Sequence, residues 1–187
     1  MHDYQELVRR TLHGDRGAFE QIVRRYQQAV IGYIARMVGN RETALDFSQE
    51  IFLKVYASLY SYRPQYKFST WLFKIASNTV IDYWRKKKVA TLSIDQPLDD
   101  EGGSVGLQLA DEGPSIVRGY ELGELRQRIE AAMDRLPPGL RELFVWRHVT
   151  GLSYEEMAEI KSLPIGTVKN RVFQAKEMMK RLLEETA

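Results

Sequence analysis

No cysteine occurs among the 187 residues. That absence excludes a disulfide framework, a thiol nucleophile and a thiolate zinc site. Histidine is almost as scarce, and His2, His13 and His148 stand far apart in the chain, so they read as surface or core side chains rather than ligands. With no paired histidines and no clustered carboxylates in a recognisable pocket, no catalytic residue, metal or cofactor is expected. No apolar run reaches the roughly 18 residues that a membrane span needs. The opening MHDYQELVRR lacks the apolar core of a signal peptide, so the expectation is a cytoplasmic chain without direct membrane insertion. What remains, 44% hydrophobic and 28% charged residues, describes a globular chain long enough for one or two domains.

The net charge of +2 conceals a strong pattern. Residues 1–88 carry 15 Lys and Arg against 8 Asp and Glu, giving +7; residues 89–124 carry 1 against 8, giving −7; residues 125–187 carry 11 against 9, giving +2. Basic or near-neutral blocks flanking an acidic one point to a polyanion partner, with the acidic stretch placed to mimic or repel it.

Hydrophobic spacing predicts helices throughout. Residues 4–12 form a short one, stopped by Gly14. Asp15 opens the next, which runs to Gly39 with Phe19, Ile22, Val23, Tyr26, Val30, Tyr33, Ile34 and Met37 at three- and four-residue intervals. Asn40 caps a third, over residues 41–60, with Ala44, Ile51, Phe52, Val55 and Leu59 inward. Its other side carries Asp46, Gln49, Glu50, Leu53 and Ala57. Such a stripe is either a solvated face or a docking surface for a basic partner helix, anchored by Leu53.

After a loop over residues 61–67, Ser69 is placed to cap a fourth helix. Its apolar side is Leu72, Ile75, Ala76, Thr79 and Tyr83. A second stripe holds Trp71, Lys74, Asn78 and Arg85 and runs into Lys86, Lys87 and Lys88. Taken singly, Trp71 and Trp84 read as core and the cations as a solvated helix end. Together, an aromatic plane, an amide and cations on one face can stack a base, read its edge and neutralise phosphates. Residues 89–123, with DDEGGS and DEGPS, read as an extended or partly disordered linker.

Helix returns over residues 121–136, ends at Pro137-Pro138, and resumes over 141–149. Ser153-Tyr154-Glu155-Glu156 has the form of a capping box opening a helix of about two turns. A tight turn at Lys161-Ser162-Leu163 and a proline-led start at Pro164 lead to a last helix. That helix turns Val168, Val172, Ala175, Met179 and Leu182 inward and Gly166, Lys169, Asn170, Phe173 and Gln174 outward, with Arg171 on the flank. A short capped helix, a turn and a longer helix of this kind form a helix-turn-helix pattern. Asn170 and Gln174 carry amides suited to adenine, Lys169 and Arg171 reach guanine or phosphate, and Phe173 can press on a thymine methyl. The alternative is an αα-hairpin used only for packing.

GDRGAFEQIVRRY, ALDFSQEIFLKVY and KFSTWLFKIASNTVIDYWRKK, followed by LPPGLRELFVWRHVTGLSYEEMAEIKSLPIGTVKNRVFQAKEMMKRLL, resemble in order and spacing the two conserved domains of the extracytoplasmic-function (group IV) sigma factors of bacterial RNA polymerase. The resemblance covers nearly the whole chain. It implies an all-α fold of two small helical domains: sigma domain 2 over 1–90 with four helices, an acidic linker over 91–122, and sigma domain 4 over 123–187 with the helix-turn-helix. In that family the segment matching Asp46, Gln49, Glu50 and Leu53 docks on core RNA polymerase. The loop and helix matching Arg63, Lys67, Trp71, Lys74, Asn78, Arg85 and Lys86 meet the −10 element of promoter DNA and capture a flipped base. The helix matching Thr167, Lys169, Asn170, Arg171, Phe173 and Gln174 reads the −35 element. The linker crosses the polymerase near its active site. Leu45 stands where relatives often carry an acidic residue, which implies a more apolar docking face, and Gln174 stands where many have a cation. An anti-sigma factor, often membrane-linked, is an expected partner.

A conventional helix-turn-helix regulator with a dimerising N-terminal domain is the rival reading; it would leave Asp46 and Glu50 unused. A metal-dependent nucleic-acid hydrolase on a helical scaffold is the third.

Overall fold

In the computed structural model, residues 3–93 and 116–185 are described; residues 94–115, which hold most of the expected linker, lie outside them. Among the described residues there are eight α-helices and one short 3-10 turn. They run as α1 (Asp3–Leu12), α2 (Arg16–Val38), α3 (Arg41–Ser58), the turn Leu59–Ser61, α4 (Phe68–Ser93), α5 (Ile116–Asp134), α6 (Pro138–His148), α7 (Tyr154–Lys161) and α8 (Ile165–Glu185).

The starts of these helices are chemically explicit. Asp15 Oδ1 accepts from the Ala18 amide at 3.1 Å, and Asn40 Oδ1 accepts from the Thr43 amide at 2.9 Å. Each satisfies one of the orphan donors of a first turn, a contribution of about 1 kcal/mol. Between them Gly39 ends α2 at φ 75°, a left-handed conformation that glycine adopts without the Cβ penalty. The box at Ser153 is complete: its hydroxyl takes the Glu156 amide at 3.2 Å while Glu156 Oε2 takes the Ser153 amide at 2.8 Å. Ser162 ends α7 at φ 52°.

Two expectations are corrected. Ser69 does not cap α4, which starts at Phe68; the Ser69 hydroxyl donates instead to Glu156 at 3.0 Å. The presumed linker is shorter than residues 89–123, because α4 continues to Ser93 and α5 begins at Ile116.

α3 packs along α2, with α1 and α4 completing the N-terminal bundle; α6, α7 and α8 form the C-terminal one, with α5 against α8. Ile22, Ile34, Ile51, Leu59 and Leu72 are fully buried in the first, and Leu143, Met157 and Val168 in the second. Each such side chain contributes roughly 1.5–3 kcal/mol through burial.

The two bundles share one continuous apolar core. α6 lies on α2, and α7 lies on α4. Trp146 of α6 is completely buried, its ring 5.9 Å from that of Tyr33 on α2. Phe73 and Ser77 of α4 are buried on the same side. The sequence periodicity gave these two residues no face because their covering comes from a remote part of the chain.

Polar groups are built into this contact. Glu142 Oε1 accepts from Tyr33 Oη at 2.7 Å and from Ser77 Oγ at 2.8 Å, and Glu142 Oε2 pairs with the Lys161 ammonium. Burial first, and the adjoining carboxylate second, push the Tyr33 phenol well above its ordinary pKa. Arg36 of α2 pairs with Glu130 of α5 at 3.0 Å. Burial raises the Glu130 pKa despite Arg36.

Candidate nucleic-acid interface

The α8 helix is sharply two-sided. Val168, Val172, Ala175, Met179 and Leu182 are buried, whereas Lys169, Asn170, Arg171, Phe173 and Gln174 are exposed and Thr167 is half-buried. Phe173 is 63% exposed. Its ring shares the exposed face of α8 with the Asn170 and Gln174 amides.

A basic surround extends this face beyond the residues that spacing picked out. The Arg147 guanidinium lies 4.7 Å from the Tyr154 ring centre and the Lys169 ammonium 5.8 Å from it, both in cation–π contact. Burial, then Arg147 and Lys176, hold the His148 pKa below its usual 6.5. Arg147, Tyr154 and Lys176 were missed from sequence because they sit on three different helices. The aromatic Tyr154 directly after the Ser153 cap was the available signal.

On the N-terminal bundle, the loop before α4 and the first turns of α4 enclose a cleft of about 370 Å³ lined by Arg63, Tyr66, Trp71 and Lys74, with Glu159 and Ser162 across it. Trp71 is half-buried, its ring 5.6 Å from Tyr62 and 5.5 Å from Phe68, which fixes its plane while leaving part of it open. Asn78 is exposed two turns beyond Trp71 on α4 and does not line this cleft. Lys67 pairs with Glu156 at 3.6 Å. Beside this cleft, Tyr4, Tyr26, Tyr62 and Phe68 form an aromatic wall around a second hollow of about 220 Å³. The two tyrosines in YRPQYKF were its sequence signal.

Arg85 and Lys86 are not part of that cleft. They line a different one, of about 320 Å³, with Phe47, Glu50 and Tyr83. Arg85 also pairs with Asp82 at 3.4 Å. Trp84, read singly as core, is exposed at the same end of α4, with the Lys87 ammonium 5.5 Å from its ring centre.

Along α3, Asp46, Gln49, Glu50 and Leu53 are all exposed, Leu53 at 71%. Glu50 is paired with Lys54 at 2.6 Å. Tyr60, just beyond α3, is also exposed, so the face is more apolar than its acidic residues suggest. Among the described residues no group of three or more His, Cys, Asp or Glu could hold a metal ion, and no helix is long and apolar enough to cross a membrane.

Both bundles match known proteins. Residues 22–89 match the family model Sigma-70 region 2, and residues 126–179 match Sigma-70, region 4. The chain is 36% identical over 181 residues to the ECF RNA polymerase sigma-E factor of Haemophilus influenzae, covering 96% of this chain and 95% of the relative. It is 32% identical over 180 residues to the RNA polymerase sigma-H factor of Pseudomonas aeruginosa, covering 96% and 93%.

The chain belongs to the extracytoplasmic-function sigma factors.

It is therefore a transcription initiation factor, and the rival reading as a stand-alone helix-turn-helix regulator is not favoured. The fold agrees. A solved structure of the sigma factor RpoE with the anti-sigma factor NepR from Bartonella quintana superposes with a TM-score of 0.73 at 25% identity, over 89% of this chain and 96% of that one. The matched region 2 contains the α3 stripe and the α4 side of the cleft of this sigma factor, and the matched region 4 contains Glu159 and Ser162 across that cleft and most of the two-sided α8.

Proposed function

We propose that the α3 stripe of Asp46, Gln49, Glu50 and Leu53 docks this sigma factor on core RNA polymerase. In the same assignment Arg63, Lys67, Trp71, Lys74 and Asn78 receive an unstacked base of the −10 element, and Thr167 to Gln174 read the −35 duplex. Arg85 and Lys86 serve the −10 strand from the far end of α4, where they meet phosphates rather than the captured base. The acidic segment within 91–122 passes through the polymerase near its catalytic centre. The chain carries out no covalent step. The observation that supports the −10 assignment most is the cleft in which Trp71 offers a fixed aromatic plane beside the Arg63 and Lys74 cations. Unstacking a base costs a few kcal/mol, and stacking on an aromatic ring returns about 1–3 kcal/mol.

Anti-sigma binding is proposed by kinship, since the RpoE structure is of a complex with such a factor. Retention at the membrane through that partner follows the same reasoning. The test is permanganate mapping of strand opening by the holoenzyme. Asn78→Ala and Lys74→Ala should reduce opening while leaving affinity for core unchanged. Equal loss of core affinity would contradict the division of labour between α3 and α4.

A further inference from the structure

The cleft between α3 and α4 gathers charge from both helices. Lys54 of α3 and Arg85 and Lys86 of α4 line it together with Glu50 and Asp82, around Phe47 and Tyr83, whose rings meet edge to face at 5.1 Å. Within this lining Asp82 is taken by Arg85 at 3.4 Å and Glu50 by Lys54 at 2.6 Å. A Glu–Lys pair four residues apart on one helix, with both side chains half-exposed, is a common solvated arrangement of small energy. Lys54 does more than that. Its ammonium crosses to α4 and donates to Thr79 Oγ1 at 3.2 Å. Thr79 is buried and donates its own proton to the Ile75 carbonyl at 3.1 Å, so it presents a lone pair to Lys54. This contact draws a third cation toward Arg85 and Lys86, against like-charge repulsion that Glu50 and Asp82 offset. Docking on the polymerase, as proposed above, engages Glu50 with a partner cation. The lining then holds three positive groups against Asp82.

A backbone phosphate is the anion that fits this place. Thr79 and Arg85 follow Trp71 on the same helix, at about 12 and 21 Å along its axis for a rise of about 1.5 Å per residue. A strand whose base stacks on Trp71 carries a phosphate about every 3.4 Å, so roughly the third to the sixth phosphate from that base falls at the cleft. We propose that Lys54, held in position by Thr79, is a DNA-contacting residue that seats one of these phosphates together with Arg85 and Lys86. α3 then serves core polymerase with its exposed stripe and promoter DNA with the flank beside α4. The inference rests on the reading of Trp71 as the base platform and of Arg85 and Lys86 as phosphate contacts.

The test uses holoenzyme formed from the full chain and core polymerase, on fluorescein-labelled promoter duplexes that carry a start site mapped with that holoenzyme. Each duplex has one neutral methylphosphonate in place of one phosphate, and fluorescence anisotropy gives its affinity. Core is held at a concentration saturating for each variant, so a change in docking does not enter. For the parent, one position in the window of roughly three to six phosphates from the captured base should weaken binding about fivefold. Lys54→Ala should lose about as much on unmodified DNA, show no further loss at that position, and lower the slope of log K against log salt by about 0.7–0.9. Lys54→Arg should restore both the position-specific loss and the slope, which a role in folding alone would not produce. Lys86→Ala tests the underlying reading separately. Parental losses at every position and a parental slope in Lys54→Ala, with a position in the window silenced by Lys86→Ala, would overturn the role of Lys54 and leave the phosphate reading of α4 standing. A parent holoenzyme with no sensitive phosphate in the window would overturn both.

Discussion

Phe173→Ala and Val172→Ala are neighbouring truncations with opposite expected consequences. Val172 is 4% exposed and packs inside the C-terminal bundle. Losing two buried methyl groups and leaving a small cavity should cost about 2 kcal/mol. For a chain of this length that corresponds to a fall of roughly 4–8 °C in Tm. Phe173, at 63% exposure, touches little of its own chain. Its removal from the surface should change stability by no more than about 0.5 kcal/mol. It should nevertheless weaken binding of −35 duplex by about 1–3 kcal/mol, or roughly 5- to 150-fold, through lost contact with a thymine methyl. Scanning calorimetry gives the first quantity, and fluorescence anisotropy of the holoenzyme on a labelled −35 duplex gives the second. A Tm loss for Phe173→Ala as large as for Val172→Ala would show that the ring serves packing or self-association. Unchanged duplex affinity would remove α8 as the reading helix.

Other substitutions test the remaining surfaces. Leu53→Glu should leave Tm unchanged, because the side chain is exposed, and reduce affinity for core polymerase at least about tenfold in a pull-down titration. Lys169→Ala should weaken −35 duplex binding across sequences and reduce the slope of log K against log salt by about 0.9 if it neutralises one phosphate. Ser153→Ala should cost about 1 kcal/mol of stability in denaturant melts through loss of the α7 cap. The depressed His148 pKa has a defined sign: the folded form disfavours the charged imidazole, so stability is lost as pH falls through 6.5, the unfolded value, toward the lower folded one. His148→Gln should flatten that part of the pH–Tm profile.

Local chemistry made much of this fold legible. Asp15, Asn40 and Ser153 cap the helices that their side chains predict, and the inward and outward rows of α3 and α8 follow from helical spacing alone. The failures have a common cause. Ser69 resembles a cap but is claimed by Glu156, 87 positions away, and Ser77 is claimed by Glu142, 65 positions away. Trp146 reads as an ordinary apolar residue until Tyr33 and Lys161 enclose it. Contacts between bundles leave no periodic trace in either partner, so the closed arrangement of the two domains was invisible in the sequence. The division of the basic residues of α4 between two clefts was hidden for the same reason, since it depends on where α3 and α7 lie.

The most direct measurement is transcription from genomic DNA by purified core polymerase with and without this chain, with start sites mapped. The account predicts a small set of new starts that appear only when the chain is added, share −10 and −35 elements, and disappear with Leu53→Glu. Promoter recognition by the chain alone with no new start sites would contradict it.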